Sequence, residues 1–208
     1  MKKLRTGVVS LVTVVANCNH WIGFHITNQL LEQGLKVKGI VDCKKDDSLS
    51  LFFERNSNFS FYSGDTNEIY EQFICIGSIQ EDVNISAELC VTLAHPSTVH
   101  PFTSLNGVII ELPLLFGEWM PMSENGMYFQ GEFVPFSSDY FLQHAIYIHD
   151  FIDVFLKWLE MYEVGEEKQN VNKIKLDNYI DIKDNRPKEA TVNQVIQHFR
   201  NQRLGKMF

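Results

Sequence analysis

The stretch that most constrains this chain runs from Ser10 to Asp42, SLVTVVANCNHWIGFHITNQLLEQGLKVKGIVD. An apolar run from Leu11 to Ala16 breaks at Asn17-Cys18-Asn19-His20. A helical pattern follows, with Ile22, Ile26 and Leu30 at four-residue spacing, and Gly34 closes it. Val37 to Val41 then reads as a second strand, ended by Asp42. Strand, tight turn, helix and strand in so short a span make a βαβ unit. Such units build parallel sheets, and an acid at the end of the second strand is where dinucleotide folds place their ribose ligand.

The turn carries a likeness. Ala16-Asn17-Cys18-Asn19-His20-Trp21-Ile22-Gly23 resembles the T-G-x-x-G-F-I-G turn of the NAD-dependent epimerase/dehydratase family, the extended short-chain dehydrogenases. Gly23 holds the third glycine position, while Asn17 and His20 stand at the first and second. The first glycine allows the tight turn, the second admits the pyrophosphate, and the third lets helix pack on strand. Asn tolerates left-handed backbone, so Asn17 can keep the turn. His20 puts an imidazole where a phosphate would lie. The resemblance implies a cofactor-type turn of Asn17, His20, Trp21, Ile22 and Gly23, with Asp42 at the ribose. Asp65, in Ser63-Gly64-Asp65-Thr66, is either the family's adenine-side acid or the cap of a helix starting near Asn67. With two glycines replaced, the expectation is no NAD(P), or weak NAD(P) at most.

The same family supplies later landmarks. Pro113 to Gly117 resembles its R-P-x-x-x-x-G segment, with Glu111 or Leu112 near the arginine position. Ile148-His149-Asp150 lies over the core of its Y-V-x-V-D-D-V-A segment. Its catalytic apparatus, Tyr-x-x-x-Lys on one helix turn, is not where it belongs. The match Tyr179-Ile-Asp-Ile-Lys183 falls in an alternating, strand-like stretch, where residues four apart sit roughly 13 Å from each other. Tyr140 and His144 form a conceivable acid/base pair, and Ser78 a conceivable catalytic-loop serine; a loop aromatic and a strand-end serine are the plainer readings.

Element by element, Leu51 to Arg55 reads as a short helix, Asn58–Tyr62 as a third strand and Phe73–Ser78 as a fourth. One helix is expected around Ile85 to Leu93, and a strand at Val108–Leu112. The stretch from Glu118 to Ser138 reads as a long aromatic loop, followed by a strand at Ala145–His149. Phe151, Val154, Phe155, Trp158, Leu159 and Tyr162 form one face of a helix, capped by Asp150. Lys173 to Lys183 reads as a strand or hairpin, and Thr191 to Gln194 as a capping box opening a last helix.

Composition adds limits. The 208 residues suit one domain, 1–208, with a small substrate-side lobe drawn from parts of 118–145 and 165–208. A net charge of −8 without a basic patch argues against nucleic acid and anionic membrane. Cys18, Cys43, Cys75 and Cys90 are widely spaced, as reduced thiols in a cytoplasmic protein are. No H-x-x-x-H or H-E-x-x-H pattern occurs among the seven histidines, so no metal cluster is signalled. Met1-Lys-Lys-Leu-Arg5 before an apolar run and Cys18 imitates a lipoprotein leader, but Asn17 suits the residue before such a cysteine poorly and Ser10 and Thr13 interrupt the apolar run. No segment is long and apolar enough for a span.

The expectation is a Rossmann-like three-layer αβα sandwich with a mainly parallel sheet. Functionally it is a degenerate, non-catalytic relative of the family that binds a small molecule or a protein partner. The alternatives are an active NAD(P)-dependent nucleotide-sugar enzyme with an unconventional acid/base, and a purely structural interaction protein.

Overall fold

The computed structural model describes residues 9–42, 48–64, 68–79, 83, 85–94, 107–164, 173–175 and 186–205. The opening unit forms as its pattern predicts: β1 (Val9–Ala16), α1 (Trp21–Glu32) and β2 (Lys36–Ile40). Ile22, Ile26 and Leu30 are all buried. Helix α1 stops in a Schellman turn, with Gly34 at φ +78°, its N–H on the Leu31 carbonyl and the Leu35 N–H on that of Leu30.

Four more strands complete the register around β1. These are β3 (Phe59–Phe61), β4 (Ile69–Ile76), β5 (Ser86–Ala94) and β6 (Gly107–Glu111). The sheet runs β3-β2-β1-β4-β5-β6, with Lys173–Lys175 beyond β6. The pairs β1/β2, β2/β3, β1/β4 and β4/β5 are all parallel. Strand order reverses between β1 and β4, so the carboxyl ends of these two strands flank the crevice in which doubly wound sheets hold ligands. The Rossmann-like, mainly parallel fold is therefore as the sequence implies.

Two expected helices are strands. Where a helix is expected after Asn67, which itself lies outside the described residues, Ile69–Ile76 is β4, and residues 86–93 belong to β5. From Leu89 to Ala94, β5 is buried at every position. A strand covered on both faces loses its alternation, and a short continuous apolar run then reads equally as helix. The connections between Phe61 and Ile69 and between Ile76 and Ser86 contain no helix among their described residues.

Alternate residues of the central strands feed the core. Val14, Ala16, Phe73, Cys75 and Cys90 pack together with Tyr70, and Tyr62, Ile79 and Ile85 from the connections close over them. The high phenylalanine count has a packing use as well. Phe24 of α1 stacks on Phe53 at 5.1 Å in the 3-10 turn Ser50–Phe53, and Phe53 meets Phe59 at 5.2 Å.

The contacts divide the chain into two compact units, residues 1–110 with 171–174 and residues 111–170 with 175–208. In the second, β7 (Leu115–Phe116) pairs in parallel with β11 (Ile146–Tyr147). The expected loop 118–138 instead holds an antiparallel sheet of β8 (Met122–Ser123), β9 (Gly126–Phe129) and β10 (Glu132–Pro135). Strands this short leave too few alternations to stand out in sequence. Helix α2 (Asp139–His144) follows, capped by Ser138, whose hydroxyl accepts the Phe141 N–H.

The strand expected at 145–149 is only two residues long, because α3 (Ile148–Val164) begins at Ile148. Asp150 is thus in the first helical turn rather than at the cap, a place the helix dipole favours for an acid. Phe151, Phe155, Trp158 and Leu159 are buried on α3 as the period predicts. Lys173–Lys175 is β12. The last helix, α4 (Lys188–Gly205), starts before Thr191. Thr191 is no cap: its N–H and Oγ1 both donate back to the Pro187 carbonyl, at 3.1 and 3.3 Å. Proline pre-sets helical φ and needs no donor there, so it opens the helix one turn early.

Candidate functional site

The β1–α1 turn is built by its side chains. Asn17 adopts φ +60°, the left-handed conformation asparagine tolerates, and keeps the turn that a glycine would otherwise make. Its carbonyl accepts the His20 N–H at 2.8 Å, while the Cys18 N–H reaches the Ile40 carbonyl of β2 at 3.0 Å. The Asn17 side chain is buried, and its Nδ2 donates to the carbonyls of Ile76 and Ser78, both at 2.7 Å. One carboxamide therefore ties the end of β1 to the end of β4.

Asn19 makes the matching tie to β2. Its Nδ2 donates to the Asp42 carbonyl at 3.0 Å and its Oδ1 accepts the Asp42 N–H at 2.9 Å. Sequence reasoning passed over this residue; two asparagines flanking Cys18 in a turn were its only signal. Asp42 is held beside the turn by these bonds and is half-buried.

His20 is the N-cap of α1: Nδ1 accepts the Ile22 N–H at 3.3 Å, and its carbonyl accepts the Phe24 N–H at 2.8 Å. The imidazole therefore does what a Ser or Asp cap does, satisfying an orphan donor of the first turn. Trp21 is half-buried beside it, with ring centroids 6.1 Å apart. The Ile22 side chain lies in the core, so only its backbone belongs to the turn. Gly23 keeps the third glycine's role, since a Cβ there would fall on the Asn17 carbonyl oxygen. Asn17, His20, Trp21, Gly23 and Asp42 thus share one locale at the carboxyl end of the sheet; Asp65 lies outside the described residues.

Burial pushes the Cys18 and Cys75 thiols up to about 12, the state of inert structural cysteines. Cys90 is buried as well, while Cys43 lies outside the described residues. Ser78 is exposed at the end of β4, where its carbonyl rather than its hydroxyl meets Asn17. Tyr179 and Lys183 lie outside the described residues. Tyr140 and His144 do face each other on α2, rings 5.0 Å apart, both exposed. Glu111 ends β6 and Leu112 is buried after it.

A tyrosine–lysine contact does exist, from an unexpected pair of strands. Lys38 Nζ donates to Tyr70 Oη at 3.3 Å and to Glu68 Oε2 at 2.7 Å. Tyr70 pairs with Ser10 at the amino ends of β4 and β1, opposite the crevice. Burial, helped by Glu68, raises its phenol pKa, the reverse of what an acid/base tyrosine needs. In the second unit Tyr147 donates to Glu118 Oε1 at 2.7 Å, with His149 Nε2 3.7 Å from Glu118 Oε2 and Arg186 Nε 3.4 Å from Asp150. Burial and the hydrogen bond to Glu118 raise the Tyr147 pKa as well. Among the described residues no cluster of three or more His, Cys, Asp or Glu is arranged to hold a metal. No helix among them is long and apolar enough to cross a membrane.

No protein-family model matches this sequence, and comparison with curated proteins finds no match. Solved structures do resemble it. UDP-glucuronic acid 4-epimerase from Bacillus cereus in complex with NAD aligns at 10% identity and a TM-score of 0.54, over 90% of this chain and 96% of that one. A GDP-L-fucose synthetase from Naegleria fowleri aligns at 11% identity and TM-score 0.46, over 94% and 97%. Vestitone reductase from alfalfa aligns at 12% and 0.47, over 79% and 76%. At such identities the likeness speaks for architecture: this chain has a Rossmann-like α/β fold of the kind seen in the Bacillus cereus epimerase.

Proposed function

We propose that this chain is a reduced, non-catalytic relative of the NAD-dependent epimerase/dehydratase family, binding a small molecule or a protein partner at the carboxyl ends of β1, β2 and β4. One observation carries the reading. The sheet order places residues 77–106 between β4 and β6, and no Tyr or Lys occurs anywhere in that span. A Tyr-x-x-x-Lys helix cannot be built there. The two described phenols with perturbed pKa values, Tyr70 and Tyr147, are both shifted upward. The buried thiols of Cys18, Cys75 and Cys90, none of them in a disulfide, suit a reducing, cytoplasmic compartment.

The test is fluorescence titration with NADH and NADPH. No saturable one-to-one binding in the micromolar range is expected; finding it would overturn the reduced-site reading. The second reading, an active NAD(P)-dependent nucleotide-sugar enzyme with an unconventional acid/base, draws support from the epimerase alignment over 90% of the chain. It requires turnover of a UDP- or dTDP-sugar that is lost on changing Asp42 or His20.

A further inference from the structure

Two replaced glycines raise the question of which replacement decides what the crevice admits. His20 is half-exposed, and its ring turns back over the first turn of α1 to cap Ile22. Asn17 is 7% exposed, and its carboxamide lies across the gap between the ends of β1 and β4, where the strand order reverses. Two bonds of 2.7 Å fix it there, to Ile76 and Ser78. Swinging it aside would break both bonds. Its φ of +60° is one that glycine adopts freely, so the backbone is already shaped for a residue without a side chain. Gly23, which sets how closely α1 approaches the turn, is still present.

We propose that Asn17 is the specificity-determining residue of this crevice: its carboxamide, tied across the β1/β4 gap, bars nucleoside diphosphates, and removing that one side chain admits them. The inference rests on the reduced-site reading and deepens it by naming both the excluded class and the residue that excludes it. His20 is then a helix cap and not the barrier.

The experiment titrates ADP into the wild-type chain, Asn17→Gly and His20→Gly, each checked for folding by circular dichroism. Asn17→Gly is expected to bind ADP at least about tenfold more tightly than wild type, while His20→Gly stays within about twofold. A folded Asn17→Gly with no gain, or an equal gain in His20→Gly, overturns the assignment. Should Asn17→Gly not fold, Asn17→Ser, which shortens the side chain and removes the carboxamide, is titrated in its place. A gain of the same order upholds the barrier, and a folded Asn17→Ser with no gain overturns it. A wild type that already binds ADP and NADH tightly would mark failure of the reduced-site reading itself, whereas a non-binding wild type with an inert Asn17→Gly would mark failure of the gate alone.

Discussion

Asn17 does two jobs that usually fall to different residues. It supplies the left-handed corner of the β1–α1 turn and, through its amide, the cross-link to β4. The two jobs separate by substitution. Asn17→Ala loses both hydrogen bonds and forces a Cβ-bearing residue with no compensating polar group into left-handed backbone, costing about 2–4 kcal/mol in urea unfolding. Asn17→Gly loses the bonds but keeps the corner, and should cost about 1–2 kcal/mol less than the alanine variant. The buried thiols make a second prediction at this scale. Cys18 and Cys75 ordinarily titrate near 9.0 and are raised to about 12 in the folded chain. Above pH 9.0 the unfolded state sheds protons that the native state retains, so their contribution, complete below that pH, is lost as pH climbs toward 12. Tyr147, also raised, adds to the fall at still higher pH. Urea midpoints measured from pH 7 upward should therefore decline on the alkaline side, and Cys75→Ala should flatten the decline.

At the scale of elements, the pieces that read correctly were those with a long period and a chemical stop. Helix α1 has both: Ile22, Ile26 and Leu30 on one face, and Gly34 closing a Schellman turn. Gly34→Ala should cost about 1 kcal/mol in thermal or urea unfolding, because alanine must take φ +78° there with no steric contact to relieve. Strand β5 failed to read because burial on both faces removes the alternation that marks a strand. The small sheet β8-β9-β10 failed for another reason, since two- to four-residue strands carry almost no periodic signal. Thr191 shows the limit of a capping motif: the pattern was present, yet Pro187 had already opened the helix.

For the whole molecule, the acidic balance sets an expectation about charged partners. With a net charge of −8, this chain is expected to pass through a heparin column without retention at physiological salt. Retention would mean that an exposed basic patch outweighs the net balance. The fold itself follows from the position of the strand-order reversal, which makes the ends of β1, β2 and β4 neighbours and brings Asn17, Asn19, His20 and Asp42 together.

The sequence by itself determined the βαβ opening, the parallel sheet it nucleates, the amphipathic face of α3 and the absence of a Tyr-x-x-x-Lys helix before β6, because each rests on local spacing or on which residues exist at all. Only the tertiary structure decided that residues 86–94 are a strand, that Lys38 meets Tyr70 at the amino ends of the sheet, and that Asn17 is fastened to β4 some sixty residues away. Those outcomes depend on strand pairing, and a pairing between distant segments leaves no mark on the local pattern of either one.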